Sequence, residues 1–276
     1  DSSTSRGLGD VYKRQIYGYT SNSIQIYDGG ISVSAPLFSV VVPAYNQHKF
    51  IDSCLTSLQR QTLTDFEVFV VDDCSTDDTG EQIAALIKGD DRFHVITHAH
   101  NRGVSAARNS GMAAAKGKYL CFVDGDDWVE PDFLATFLAA YRSAPDTQLV
   151  VCGHYGYLAV PSPAKTYNQK DLIANINFGT VGGFSWNKAF IRSIITTHHL
   201  KFNEDIDFLE DQLFAFRYAN YVQSSEYVPD RTYHYRWRFR SNLAHIGIPF
   251  FTARRKMMKI LKQENKQVLN EDWNNQ

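Results

Sequence analysis

Tyr119-Leu120-Cys121-Phe122-Val123-Asp124-Gly125-Asp126-Asp127 is the stretch on which the fold turns. Five apolar residues in succession read as a strand buried on both faces, and such strands belong to parallel sheets covered by helices. The strand runs straight into three carboxylates grouped around one glycine. In an open parallel sheet, ligands bind outside the carboxyl ends of the strands, so the acidic run stands where a ligand would. Taken alone, it is equally readable as an acidic turn with solvated aspartates and a helix cap.

Its neighbours repeat the pattern. Phe38 to Val42 is a β-branched run ending at Pro43, and Phe66 to Val71 is a second strand stopped by Asp72-Asp73. Phe93 to Thr97 and Leu149 to Cys152 complete a set of five strands. Between them, apolar residues recur at helical spacing over Gln47 to Gln61, after a cap at Thr76 or Asp77, over Val104 to Ala115, and behind Pro131 placed in a first turn. Strand alternating with helix predicts an α/β fold, a doubly wound and mostly parallel sheet with helices on both faces. Pro43-Ala44-Tyr45-Asn46, Asp72-Asp73 and Asp124-Gly125-Asp126-Asp127 then converge on one sheet edge.

Beyond Gly153 the pattern loosens. Helices are expected over Gln169 to Ile176 and Leu209 to Ala219, and strands over Tyr221 to Tyr227 and Thr232 to Phe239. Residues 1–35, rich in Ser, Gly and Tyr, are expected to be a disordered leader or a stretch foreign to the natural chain. One domain over 36–245 follows, with a nucleotide-binding half at 36–153 and an acceptor half at 154–245. A basic, helical tail occupies 246–276.

Composition narrows the function classes. The 276 residues carry a formal net charge of -2, which excludes a nucleic-acid binder that relies on a strongly positive field. The four cysteines, Cys54, Cys74, Cys121 and Cys152, show no C-x-x-C spacing, so a zinc site or disulfide framework is not expected. Buried free thiols suit a reducing cytoplasm. No apolar run reaches the ~18 residues of a membrane span.

Several side chains qualify for chemistry, each against a plainer reading. Asp124 and Asp126, at i and i+2 of a turn that Gly125 tightens, are hard oxygen donors for a divalent cation. Asp72-Asp73 can accept hydrogen bonds from a base or ribose, or simply cap a turn. Tyr45 can stack on a nucleobase or pack with a wet hydroxyl. Arg102 and Arg108 can pair with a diphosphate, orient the aspartates, or sit on a solvated face. Glu210-Asp211 can supply a general base or cap a helix. The run Tyr233-His234-Tyr235-Arg236-Trp237-Arg238-Phe239-Arg240 puts aromatics on one strand face and basic residues on the other. It can hold a diphosphate-linked acceptor, meet a lipid surface, or guard a sheet edge.

In order and spacing, these pieces resemble the inverting glycosyltransferases of family 2, which have the GT-A fold, over roughly Phe38 to Ser241. The match includes Val41-Val42-Pro43-Ala44-Tyr45-Asn46, Val71 to Asp77, Asn101-Arg102-Gly103 through Arg108-Asn109, Val123 to Asp127, Trp186-Asn187-Lys188, Glu210-Asp211 and Tyr233 to Arg236. The resemblance implies a nucleotide-sugar donor, with UDP ahead of dTDP or GDP, and a hexosyl- or hexosaminyl-type transfer to a glycan or lipid-linked acceptor. It implies Mg²⁺ or Mn²⁺ held by Asp126 and Asp124, and Asp211 as base beside Glu210. Pro43, Ala44, Tyr45, Asp72 and Asp73 would line the nucleotide pocket, with Trp186 and Lys188 shaping the sugar and acceptor side. Cys74 stands where the family more often has glycine or asparagine. A cytoplasmic protein with peripheral contact at the inner face of the plasma membrane, through the basic C-terminal part, is the expected setting. A nucleotidyltransferase would carry a Gly-rich, basic loop after the first strand, and Ala44-Tyr45-Asn46-Gln47-His48 is not one. A non-catalytic sugar-nucleotide-binding or assembly protein is the remaining alternative.

Overall fold

The computed structural model of the chain describes residues 24–27, 30–33, 35–156, 161–206, 208–237 and 248–264. Strands β1 (Ile24–Tyr27) and β2 (Gly30–Val33) pair antiparallel as a ribbon of their own. This pairing lies inside the stretch expected to be an unstructured leader, the rest of which, Ala35 apart, falls outside the described residues. Next come β3 (Phe38–Ala44), α1 (Ile51–Gln59), β4 (Phe66–Asp72), α2 (Thr79–Leu86), β5 (Phe93–Thr97), α3 (Val104–Ala114) and β6 (Tyr119–Phe122), in strict alternation. These strands lie side by side in the order β5-β4-β3-β6, every pair parallel.

The chain therefore winds outward from β3 to β5, then crosses back to lay β6 on the other flank of β3. That reversal opens a crevice at the carboxyl ends of β3 and β6, the switch point where doubly wound sheets bind ligands. Both β3 and β4 are buried at every position, which is why their sequences show no alternation.

The second half completes a nine-stranded sheet. Its elements are β7 (Trp128–Val129), α4 (Phe133–Ser143), β8 (Leu149–Tyr155), β9 (Lys165–Asn168), α5 (Gln169–Phe178), β10 (Lys188–Ile191), α6 (Arg192–Thr197), α7 (Glu210–Ala219), β11 (Ser224–His234) and α8 (Ile248–Glu264). Strand β10 runs antiparallel between β6 and β8, so β8 points the same way as β6, and β11 lies parallel to β8. Both β9 and β7 add antiparallel along the far side of β11, at its start and its end.

Helices cover both faces. One core joins Ile51, Leu55 and Leu58 of α1, Ile83 of α2, and Phe133 and Phe137 of α4 to the sheet. The other joins Ala107 of α3, Leu172 of α5, Leu213 and Phe214 of α7, and Met257 and Leu261 of α8. The basic tail helix is thus docked on the domain through Met257 and Leu261.

Several boundaries differ from the sequence expectation. Pro131 precedes α4 rather than entering its first turn, because Asp132 is the cap. Asp78, not Thr76 or Asp77, caps α2, while Asp77 Oδ1 accepts the Thr79 N–H from outside the helix. The two strands expected around 221–239 are one strand, β11, interrupted by register shifts between Val228 and Tyr233; Pro229 falls in that interval and has no N–H to give a ladder. Arg238, Phe239 and Arg240 lie outside the described residues.

Candidate active site

At the carboxyl end of β6 the chain makes a turn closed by Asp127 N–H donating to the Asp124 carbonyl at 2.9 Å. Gly125 is required by space: a Cβ there would stand 2.9 Å from the Pro43 carbonyl oxygen. The turn is thereby pressed against the end of β3, and two of the three polar clusters meet as expected. Asp127 does not face the crevice. It is buried, accepting the Tyr233 hydroxyl at 2.6 Å and the Arg236 N–H at 2.7 Å, while Arg236 Nε donates to the Asp126 carbonyl at 2.8 Å. Tyr233 Oη in turn accepts the Asp124 N–H at 3.2 Å. Asp127 and the end of β11 thus hold the turn from behind, leaving the partly exposed Asp124 and Asp126 as the pair at the mouth. Burial, and then the charges of Asp124 and Asp126, push Asp127 up to about 8.

Arg108 is the centre of the site. It lies on the buried face of α3, with Ala107 and Gly111, and its guanidinium joins three elements. One terminal nitrogen donates to Asp124 Oδ1 at 2.9 Å; the other donates to Glu210 Oε1 at 2.9 Å and to Asp211 Oδ1 at 2.6 Å. The ring of Phe202 lies under the cation at 5.2 Å. Burial works against the charged form of Arg108, but the three carboxylates outweigh it and its pKa is raised.

Asp211 stands in the first turn of α7, which Leu209 opens in the left-handed region at φ 66. Its Oδ1 also accepts the Ser185 hydroxyl at 3.1 Å, and its Oδ2 accepts the Ser185 N–H at 3.3 Å. Burial pushes Asp211 up to about 7; Arg108 opposes that, while Glu210 and Asp124 add to it.

The other sequence candidates divide. Tyr45 is 43% exposed at the end of β3, an open aromatic face beside the crevice. Asp72 and Asp73 are both buried and already engaged. Asp72 accepts the Ser75 N–H, and Asp73 accepts the N–H groups of Arg102 and Gly103 and meets the His98 ring at 2.6 Å. Their carboxylates are thereby spent on bracing the loops that follow β4 and β5. The loops after β3 and β4 are further tied by Asn46, whose N–H reaches Ser75 Oγ and whose Oδ1 accepts from Thr76. Arg102 reaches Glu204 at 3.2 Å rather than the aspartates of the turn.

Trp186 and Lys188 depart from the place expected of them. Lys188 is wholly buried, donating to the Val181 carbonyl at 2.8 Å and Asn187 Oδ1 at 2.9 Å, and desolvation lowers its pKa to about 7. Trp186 is buried in a stack with Phe184, Tyr233 and Tyr235. Both support the site from beneath rather than line it. Ser185 and His98 were not singled out in the sequence; Tyr233 and Asp127 were, but not as partners of each other. Ser185 had one signal, its place directly before Trp186-Asn187-Lys188.

The donor set fits a divalent cation. Among the described residues no three His, Cys, Asp or Glu side chains form a closed metal cage. Mg²⁺ is, however, held by one or two carboxylates together with phosphate oxygens and water. Asp124 and Asp126 could supply that pair, and the carboxylates around Arg108 outnumber its single charge three to one.

Comparison with known proteins bears on the family and the fold. The family model for glycosyl transferase family 2 matches residues 39–261. EpsH of Bacillus subtilis (strain 168) is 38% identical over 216 residues, 74% of this chain and 62% of EpsH. The poly(ribitol-phosphate) beta-N-acetylglucosaminyltransferase TarS of Staphylococcus aureus is 29% identical over 72% of this chain and 35% of TarS. The chain thus spans less than two thirds of either relative. A crystal structure of TarS 1-349 in complex with UDP-GlcNAc superposes with a TM-score of 0.68 at 26% identity, covering 81% of this chain and 66% of that one. With the family model lying over the whole sheet and site, the chain belongs to glycosyl transferase family 2.

Proposed function

We propose that the chain transfers a sugar from a nucleotide-sugar donor, a UDP-sugar, to a hydroxyl of a glycan or lipid-linked saccharide, with inversion at the anomeric carbon. The observation that carries this is the single guanidinium of Arg108, which links Asp124 of the donor-side turn to Asp211 of α7. Two carboxylates from distant parts of the chain are thereby fixed on one crevice, and in this reading one serves the leaving group and the other the attacking hydroxyl.

Asp124 and Asp126 would hold Mg²⁺ or Mn²⁺, which when bound neutralises the departing diphosphate. Tyr45 presents its exposed ring to the base. Asp73 fixes the loop at Arg102 and Gly103 that closes the nucleotide side. Asp211 takes the acceptor proton. Its Oδ1 is occupied by Arg108 and the Ser185 hydroxyl, whereas Oδ2 has only the longer Ser185 N–H contact, so Oδ2 is the oxygen that receives it. A base poised near neutrality suits that transfer. Attack from the face opposite the leaving group inverts configuration and needs no covalent sugar–protein intermediate.

TarS, with UDP-GlcNAc in its structure, makes UDP-N-acetylglucosamine the first donor to try. Asp211→Asn is expected to lower transfer by about 10²–10⁴-fold, measured as UDP released with Mn²⁺ and acceptor, while calorimetric UDP binding stays within a few-fold. Turnover at the wild-type rate in that variant would sink the assignment. UDP-sugar binding with no transfer to any acceptor would favour the non-catalytic alternative. The exposed basic face of α8 suits peripheral contact with an anionic membrane, where a lipid-linked acceptor would reside.

A further inference from the structure

Two candidates lie outside the chemistry assigned so far, and a third deepens it. One is a polar cleft of about 600 Å³ between α1 and the Trp128–Pro131 segment, lined among others by Asp52, Arg60, Glu130 and Arg236. Another is the buried run Asp73–His98–Ser110, linked at 2.6 and 2.8 Å, whose members are consumed in holding the loop after β5. The third is Arg108, and the observations carry it furthest.

We infer that Arg108 is a positioning residue for the transfer: it fixes the Asp211 carboxylate in line with the Asp124 turn and does not itself bind the diphosphate. This inference rests on the function proposed above. The side chain of Arg108 is only 4% exposed, too enclosed to reach a ligand in the crevice. Both terminal nitrogens are committed to Asp124, Glu210 and Asp211, at 2.6 to 2.9 Å. The planar fork joins all three, and a lysine, with one nitrogen at a point, cannot reproduce its spread. Its backbone is held as firmly, because Gly111 one turn on lies against Val41 of β3 with no room for a Cβ. The frame therefore runs from the sheet through α3 to the guanidinium and then to both halves of the reaction.

Orientation and charge are separable consequences. The groups facing Asp211 are Arg108 from α3, Glu210 from its own helix, Asp124 from the turn, Lys188 from β10, and the Ser185 N–H and hydroxyl. Of the charged groups, Arg108 favours the ionised form of Asp211, while Glu210 and Asp124 disfavour it. Removing the cation should therefore raise the pH at which the base is ionised, and removing the Glu210 charge should lower it.

The test is kcat/KM for sugar transfer against pH from 5 to 9.5, with purified full-length wild type, Arg108→Met, Arg108→Lys and Glu210→Gln. Arg108→Met should move the acid limb upward by about one pH unit through the loss of a nearby counter-charge. Arg108→Lys should bring the limb part of the way back yet remain about 10²-fold slow on its plateau, the loss expected from a misplaced reacting group. Glu210→Gln should move the limb the opposite way. If Arg108→Met does not fold, the opposed behaviour of Arg108→Lys and Glu210→Gln decides the matter. Limbs unmoved in all variants, while Asp211→Asn is inactive, would overturn the role of Arg108 and leave the proposed function standing. An active Asp211→Asn would overturn the function itself. Wild-type plateau rates in Arg108→Lys would show that charge alone suffices and would overturn the positioning role.

Discussion

At the scale of single residues, identity in the sequence and position in the fold diverge most at Lys188. The resemblance over Trp186-Asn187-Lys188 implied a lysine on the sugar and acceptor side, but its ammonium sits in the core with a carbonyl and an amide oxygen for partners. Burial holds its pKa near 7, against roughly 10.4 in an unfolded chain. Between those values the unfolded chain binds more protons than the folded one, so this residue makes stability rise with pH from about 7 toward 10. Lys188→Met removes that dependence. The stability difference between wild type and Lys188→Met should shift in favour of wild type by up to about 1.4 kcal/mol for each pH unit above 7, read from urea unfolding at pH 7, 8 and 9. A difference that stays flat across that range would show Lys188 to be solvated. Carboxylates are common in the first turn of a helix, so Asp211 was legible as a candidate only through the order of motifs that resembles the family. Ser185, which holds it, was not, because one serine hydroxyl carries no pattern of its own.

Elements were legible where burial is symmetric and failed where pairing is distant. β3, β4 and β6 announce themselves as apolar runs because each is covered on both faces. β10 does not: its four residues, Lys188–Ile191, include a buried lysine, and its partners β6 and β8 lie far away in the chain. The same holds for β9, largely exposed and paired with the distant β11. Helix α3 shows how an element serves the site. A Cβ on Gly111 would overlap the branched side chain of Val41, and a β-branched residue buried in a sheet has little rotamer freedom with which to yield. Gly111→Ala should therefore cost about 1–3 kcal/mol in chemical unfolding. It should also slow transfer more than it weakens UDP binding, because α3 carries Arg108 toward Asp211. Unchanged stability would mean that α3 rides less closely on β3 than the geometry gives.

For the whole molecule, alternation of strand and helix was enough to foresee the winding and hence the crevice, because ligand placement in such sheets follows from topology. The antiparallel insertion of β10 and the docking of the last helix depended on contacts between distant segments and could not be foreseen. That last helix carries the remaining expectation. On α8, Met257 and Leu261 face the domain, while Phe251, Arg255, Lys259 and Lys262 recur along the outer face and are exposed. No helix among the described residues is long and apolar enough to cross a membrane; contact of this face with lipid would be made along a surface. Each basic residue near an anionic bilayer contributes about 1 kcal/mol, and an exposed aromatic adds a little burial in the interface. The triple change Arg255→Glu, Lys259→Glu and Lys262→Glu should then weaken co-sedimentation with phosphatidylserine vesicles by about 100-fold or more. Transfer to a soluble acceptor should be untouched, since this face lies away from Asp211 and the turn. Binding of the wild type should also fall steeply with added salt, because the attraction is screened over about 10 Å at 0.1 M. Equal binding of wild type and variant, or equal binding to neutral phosphatidylcholine vesicles, would leave the basic face as a solvated surface and assign membrane contact elsewhere.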